Sequence, residues 1–152
     1  MSIDVTSEIV INKAIAEVAD FAANPDNVPK WYVNIHNVEW QTEPLLQVGS
    51  RISFEAKFIG RQLAYAYEVV EHEPGSRLIM RAADGPFEME TTYIWTATSA
   101  VTTRMTLRNY GEPAGFFGIL SPLLAFAMKR AMANDLKKLK AILENDTSTS
   151  AG

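Results

Sequence analysis

Few side chains in this sequence have chemistry to offer: two histidines, a pair of glutamates two residues apart, and five tyrosines. His36 and His72 stand far apart in the chain. His72, flanked by Glu71 and Glu73 at a strand end, reads as a surface residue. His36 falls in a weak strand, where a general base has no evident second residue to orient it. Glu88 and Glu90 project to one side of a strand, ~6.8 Å apart along the backbone, a spacing that could serve acid/base work. They share that side with Thr92 and Ile94, opposite Met89 and Tyr93, so a solvated face with Arg108 nearby is the expected reading. With no cysteine in the chain, thiolate nucleophiles, disulfides and cysteine-based zinc sites drop out together. There is no nucleotide loop, nucleophile elbow or HExxH pair, and neither a cofactor nor a metal is expected.

A different kind of site emerges when neutral polar residues are placed on strands. Residues 52–109 form a meander whose turns are marked at Gly60-Arg61, Pro74-Gly75, Asp84-Gly85 and Ser99 to Val101. Counting outward from them sets Phe58 against Leu63, Val69 against Met80, Ala82 against Phe87, and Trp95 against Met105. All four pairs fall on one face, as a period of two requires. That face carries Ile52, Phe54, Ala56 and Phe58, then Leu63, Tyr65, Tyr67 and Val69, then Leu78, Met80 and Ala82. It continues with Phe87, Met89, Thr91, Tyr93 and Trp95, then Thr103, Met105, Leu107 and Asn109. None is charged, whereas Glu55, Lys57, Glu68, Arg81, Glu88, Glu90, Arg104 and Arg108 fall on the other face.

Asn109 should face Thr91 directly, with Tyr93 two residues along. An amide, a hydroxyl and a phenol would then meet on apolar walls, able either to orient a ligand oxygen or to satisfy one another. Buried tyrosine hydroxyls need partners, and alanines interleave the large side chains, with Ala56 set opposite Tyr65. Both features favour a cavity over a filled core.

The remaining elements must close that face. Ile3 to Ile11 alternates as a first strand, and Asn12 can cap a short helix over Ala14 to Ala22. Asn24-Pro25 stops that helix, Asp26 to Trp31 suits a further short turn, and Ile35 to Thr42 is a weaker strand. Ser121-Pro122 opens a long helix with Met128, Met132, Leu136, Leu139 and Leu143 on one stripe, roughly 35 Å to Glu144. Asp135 lies near that stripe, where it could reach a polar group in the cavity, but Lys138 on its own helix is its expected partner. Between last strand and last helix, glycines 111, 115 and 118 surround Phe116-Phe117. Such a segment suits a mobile apolar lid, a plug, or a patch shared with a second copy in a homodimer.

Composition narrows the partners. At 47% hydrophobic and 21% charged, the 152 residues suit one globular domain over 1–145 with a polar disordered tail at 146–152. The net charge of -4 and the lack of a basic cluster beyond Lys137, Lys138 and Lys140 exclude a nucleic-acid partner. Ala114 to Met128 is too short for a membrane span and includes Ser121-Pro122, so stable membrane insertion is not expected. Met1 to Glu8 has neither basic nor apolar regions of a signal peptide, and a cytoplasmic protein is the expectation.

The order of elements resembles the START-like (SRPBCC) superfamily, and within it the polyketide cyclase/dehydrase and lipid-transport family. The resemblance runs from about Ile3 to Glu144. It rests on Ile11 with Val18 and Phe21, Asn24-Pro25 with Trp31, Gly49-Ser50-Arg51 and Gly60-Arg61. Further along it rests on Tyr67-Glu68-Val69, Glu73-Pro74-Gly75 with Arg77-Leu78, Gly85-Pro86-Phe87, and Thr103-Arg104. It implies an α+β helix-grip fold: a curved antiparallel sheet wrapped around a long C-terminal helix, with two short helices after the first strand. It also implies a cavity for a small hydrophobic ligand (a lipid, polyketide or quinone-like molecule) and supplies no shared catalytic set.

The expected ligand-binding residues are Phe54, Tyr65, Tyr67, Met80, Phe87, Met89, Thr91, Tyr93, Trp95, Met105, Asn109, Phe117 and Met128. Two alternatives share the cavity. One is a cyclase- or dehydratase-type enzyme using Tyr65, Tyr67, Tyr93, Asn109 or His36; the other is a module delivering lipid or quinone with a membrane partner.

Overall fold

The computed structural model describes residues 2–58, 60–84 and 88–145. Seven antiparallel strands form one sheet: β1 (Ile3–Ile11), β2 (Ile35–Trp40), β3 (Arg51–Phe58), β4 (Arg61–Glu73), β5 (Arg77–Asp84), β6 (Met89–Ser99) and β7 (Thr102–Gly111). Their spatial order is β1-β7-β6-β5-β4-β3-β2. Strands β2 to β7 are therefore a meander of neighbours, and β1 closes the far edge against β7.

Two helices, α1 (Ile15–Ala23) and α2 (Val28–Trp31), follow β1, separated by a single 3-10 turn at Pro25–Asn27. Asn24 Oδ1 accepts the Asp26 N–H at 3.0 Å, which with Pro25 explains why α1 stops there. Asn12 is not the cap of α1. Ala14 holds that place without a side-chain bond, and the Asn12 N–H donates instead to Glu144 Oε2 at 2.8 Å. After β7 come α3 (Gly115–Ile119) and α4 (Ser121–Asn145). The 25 residues of α4 cross the inner face, burying Leu124, Met128, Met132, Leu136, Leu139 and Leu143. This is the helix-grip arrangement, and every described residue expected on the inner sheet face is buried or half-buried wherever its side chain is described.

Two hairpin registers differ from expectation. Phe58 pairs with Arg61 rather than Leu63, so Ala56 meets Leu63 and Phe54 meets Tyr65. Ala82 pairs with Met89, not with Phe87, whose own placement lies outside the described residues. Each slip is of two residues in the pairing sum, so side-chain parity is kept and the inner face is unchanged. At the β4–β5 turn two irregularities cancel. Glu73 pairs with Arg77 across Gly75, whose φ of 76° needs a residue without a Cβ, and a bulge between Val69 and Glu71 restores Val69 to Met80. Trp95 meets Met105, and Thr91 meets Asn109, as the turn at Ser99 to Val101 requires. The polar tail expected at 146–152 lies outside the described residues.

Candidate functional site

Between the middle of the sheet and the first half of α4 the side chains leave a cavity of about 140 Å³. That is close to the ~150 Å³ at which an apolar protein cavity accepts a benzene-sized guest. Its walls take Phe54 from β3, Tyr65 and Tyr67 from β4, Met80 from β5, and Met89, Thr91 and Tyr93 from β6. Asn109 comes from β7 and Met128 from α4. The structure therefore brings nine of the thirteen expected residues together.

Trp95 and Met105 are corrections. Both are buried, at 3% and 0% exposure, but neither lines the cavity. They lie farther along the inner face as packed core, because alternation reports which face a residue occupies and not where that face opens. Phe87 and the side chain of Phe117 lie outside the described residues, as does the lid reading built on Phe116-Phe117.

The polar groups form two clusters. In the first, Thr91 Oγ1 donates to Asn109 Oδ1 at 2.6 Å, while Tyr67 Oη lies 3.4 Å from the same threonine oxygen. Threonine has one hydroxyl proton, and the shorter bond holds it. The Asn109 amide protons have no acceptor among the described residues, so they remain to be offered to the cavity.

In the second cluster, the Tyr32 and Tyr93 hydroxyls share a 2.7 Å bond. One phenol proton makes that bond and the other is left over. Burial raises all four cavity phenols: Tyr67 is pushed up to about 12, and Tyr65, Tyr93 and Tyr32 are raised for the same reason. At neutral pH all four remain protonated and can donate.

Asp135 brings the only carboxylic acid among the described residues of the wall. It is 3% exposed, and its Oδ1 accepts the Val33 N–H at 2.8 Å, from the chain just after α2. The expected pairing with Lys138 is absent: no ion pair joins the two among the described residues. Burial pushes the carboxyl up to about 7, with the Val33 amide and the Lys138 charge drawing it back. Tyr32 from the loop after α2 and Tyr93 from β6 are close enough to feel its charge.

Sequence reasoning missed the wall formed by Val28, Tyr32, Asn34 and Ile35, which includes half of the tyrosine pair. Nothing periodic marks that segment. The one available signal is a polar aromatic directly after Trp31, which is itself fully buried.

The other chemistry-bearing residues face elsewhere. His36 is exposed and bonded to the Gln62 amide at 3.0 Å. His72 is half-buried at a separate groove near Asp20, Asp26 and Trp40. Glu88 is exposed, and Glu90 pairs with Arg81 at 2.8 Å rather than with Arg108, which is held by Asp4 at 2.7 Å. Among the described residues no three of His, Cys, Asp and Glu converge to hold a metal ion.

Residues 2–144 match the model of a family described as polyketide cyclase / dehydrase and lipid transport. No curated protein matches the sequence. Among solved structures, the Zhui aromatase/cyclase from Streptomyces sp. R1128 superposes with a TM-score of 0.84 at 14% identity, covering 100% of this chain and 99% of that one. TTHA0849 from Thermus thermophilus gives 0.81 at 19% identity, over 93% and 97% of the two chains. A START superfamily protein from Mycobacterium smegmatis gives 0.78 at 12% identity, over the same 93% and 97%. At these identities the likeness is one of fold.

Proposed function

This chain belongs to the polyketide cyclase / dehydrase and lipid transport family, and we propose that it binds one small, neutral, oxygen-bearing apolar molecule between its sheet and α4. The observation that carries this reading is the cavity wall: mostly apolar, without a cation among its described residues, and supplied with uncommitted hydrogen-bond donors. The Asn109 amide, the Tyr67 phenol and the spare proton of the Tyr32–Tyr93 pair suit a ligand carbonyl or hydroxyl oxygen. A carboxylate ligand is disfavoured, because it would lose its hydration beside Asp135 with no positive charge to replace it.

Isothermal titration with naphthol, naphthoquinone and naphthoate tests this. Both neutral compounds should bind, with naphthoate at least about tenfold weaker, or ~1.4 kcal/mol. Asn109→Leu should weaken naphthoquinone binding by about tenfold while the protein stays folded. Equal affinity for naphthoate, or unchanged affinity in folded Asn109→Leu, contradicts the reading.

A second reading is favoured by one observation, the buried Asp135 carboxyl in the same cavity wall as the Tyr32 and Tyr93 phenols. A cavity acid that titrates near neutrality can give or take a proton at working pH, which suits a dehydrating or ring-closing enzyme. It requires that Asp135→Asn abolish dehydration of a β-hydroxyketone while naphthol binding persists.

A further inference from the structure

The side of α4 that faces away from the cavity carries a feature that ligand binding does not use. Ile119, at the end of α3, is 83% exposed; Leu123 and Phe126, three residues apart on α4, are 51% and 67% exposed. Leu123 and Phe126 share one face of α4 by their spacing, Ile119 precedes them by one turn's length of chain, and large apolar residues grouped at such exposures form a ridge that calls for a partner. The same solvent-facing stripe continues through Arg130 and Lys137, with Lys129 beside it.

The surrounding charge selects among partners. From Pro113 to Glu144 the chain carries five cations, Lys129, Arg130, Lys137, Lys138 and Lys140, against two acids: Asp135, which is buried, and Glu144, which is paired with Lys140. This segment is cationic in a chain of net charge -4. A two-fold pairing of the ridge with its own copy would set the same cations on both sides of the contact, which opposes it. An anionic lipid surface satisfies both parts: apolar side chains enter the headgroup layer while the lysines and arginines meet the phosphates.

We infer that the ridge Ile119, Leu123 and Phe126, flanked by Lys129 and Arg130, docks this protein reversibly on an anionic lipid surface. The docking is peripheral, since none of the described helices is long and apolar enough to cross a membrane. Placement gives it a use. Leu124 and Met128, on the opposite side of the same helical turns, line the cavity, so a ridge held in the headgroups brings α4 and the cavity wall to the lipid. Docking of this kind does not depend on what the cavity holds.

The test is flotation of the full chain with vesicles of phosphatidylcholine alone and of equal parts phosphatidylcholine and phosphatidylglycerol, at low and at high salt. The chain should float with the mixed vesicles only, and less so at high salt. Leu123→Asp and Phe126→Asp should each lower partitioning by about tenfold or more. Lys129→Gln and Arg130→Gln should cost roughly fivefold each. Val101→Asp, equally exposed at the β6–β7 turn, should change nothing. All five positions are exposed, so thermal melting should be unaltered and loss of folding is separable from loss of binding. Failure to float with anionic vesicles, or equal flotation of Phe126→Asp, overturns the inference. So does a concentration-dependent dimer that Phe126→Asp dissociates, which would make the ridge a contact between copies.

Discussion

Asp135 is a carboxylic acid held in an environment its type does not prefer. A carboxyl on an otherwise apolar helix stripe loses hydration on folding and regains only one backbone hydrogen bond, from Val33. Its folded pKa of about 7 lies above the ordinary value of 3.8. Between those two values the folded chain therefore binds more protons than the unfolded one. Stability contributed by the neutral acid is present at low pH, is lost as pH climbs through that window, and levels off above it. The loss is on the order of 2–4 kcal/mol. Asp135→Asn keeps an acceptor for the Val33 amide but does not titrate. Urea unfolding of the two proteins at pH 5 and pH 8 should show a smaller drop in the variant, which should be the more stable at pH 8. An identical drop in both would mean that Asp135 is hydrated in solution.

The elements show why part of this site can be read from sequence and part cannot. Strand β6 alternates Met89, Thr91, Tyr93 and Trp95 inward against Glu90, Thr92 and Ile94, and that parity survives errors in the turns. A two-residue slip moves a pairing along the strand without turning any side chain over, as at Ala56 and at Ala82. Thr91 with Asn109 was legible because a single turn fixes it. Tyr32 was not, nor was the partner of Asp135, because its contact with Val33 joins residues 102 apart through the docking of α2 on α4. Local pattern carries no information about that distance.

Two substitutions separate the faces. Glu90→Gln removes a half-exposed pair with Arg81 and should cost less than ~1 kcal/mol, leaving naphthol affinity unchanged. Leu139→Ala, fully buried on the sheet-facing side of α4, should cost about 2–5 kcal/mol in denaturant unfolding. A large loss of ligand affinity in Glu90→Gln would mean that the inner face has been assigned to the wrong side of the sheet.

At the scale of the whole molecule, a meander of long strands curls around one helix and holds polar groups where neither could place them alone. The sheet supplies Thr91, Asn109, Tyr67 and Tyr93, the chain after α2 supplies Tyr32, and α4 supplies Asp135. Beyond the cavity, Trp95, Met105, Leu136 and Leu139 are packed as core, so the inner face is divided into a site and a foundation. The methionines report that division directly. Met80, Met89, Met128 and Met132 line the cavity, while Met105 is fully buried away from it. The most direct measurement is therefore a titration of methyl-labelled protein with naphthol, followed by the methionine methyl resonances. The four cavity methyls should shift together along one saturable curve while Met105 stays in place. No shift at saturating naphthol, or a response led by Met105, would contradict a ligand site between the sheet and α4.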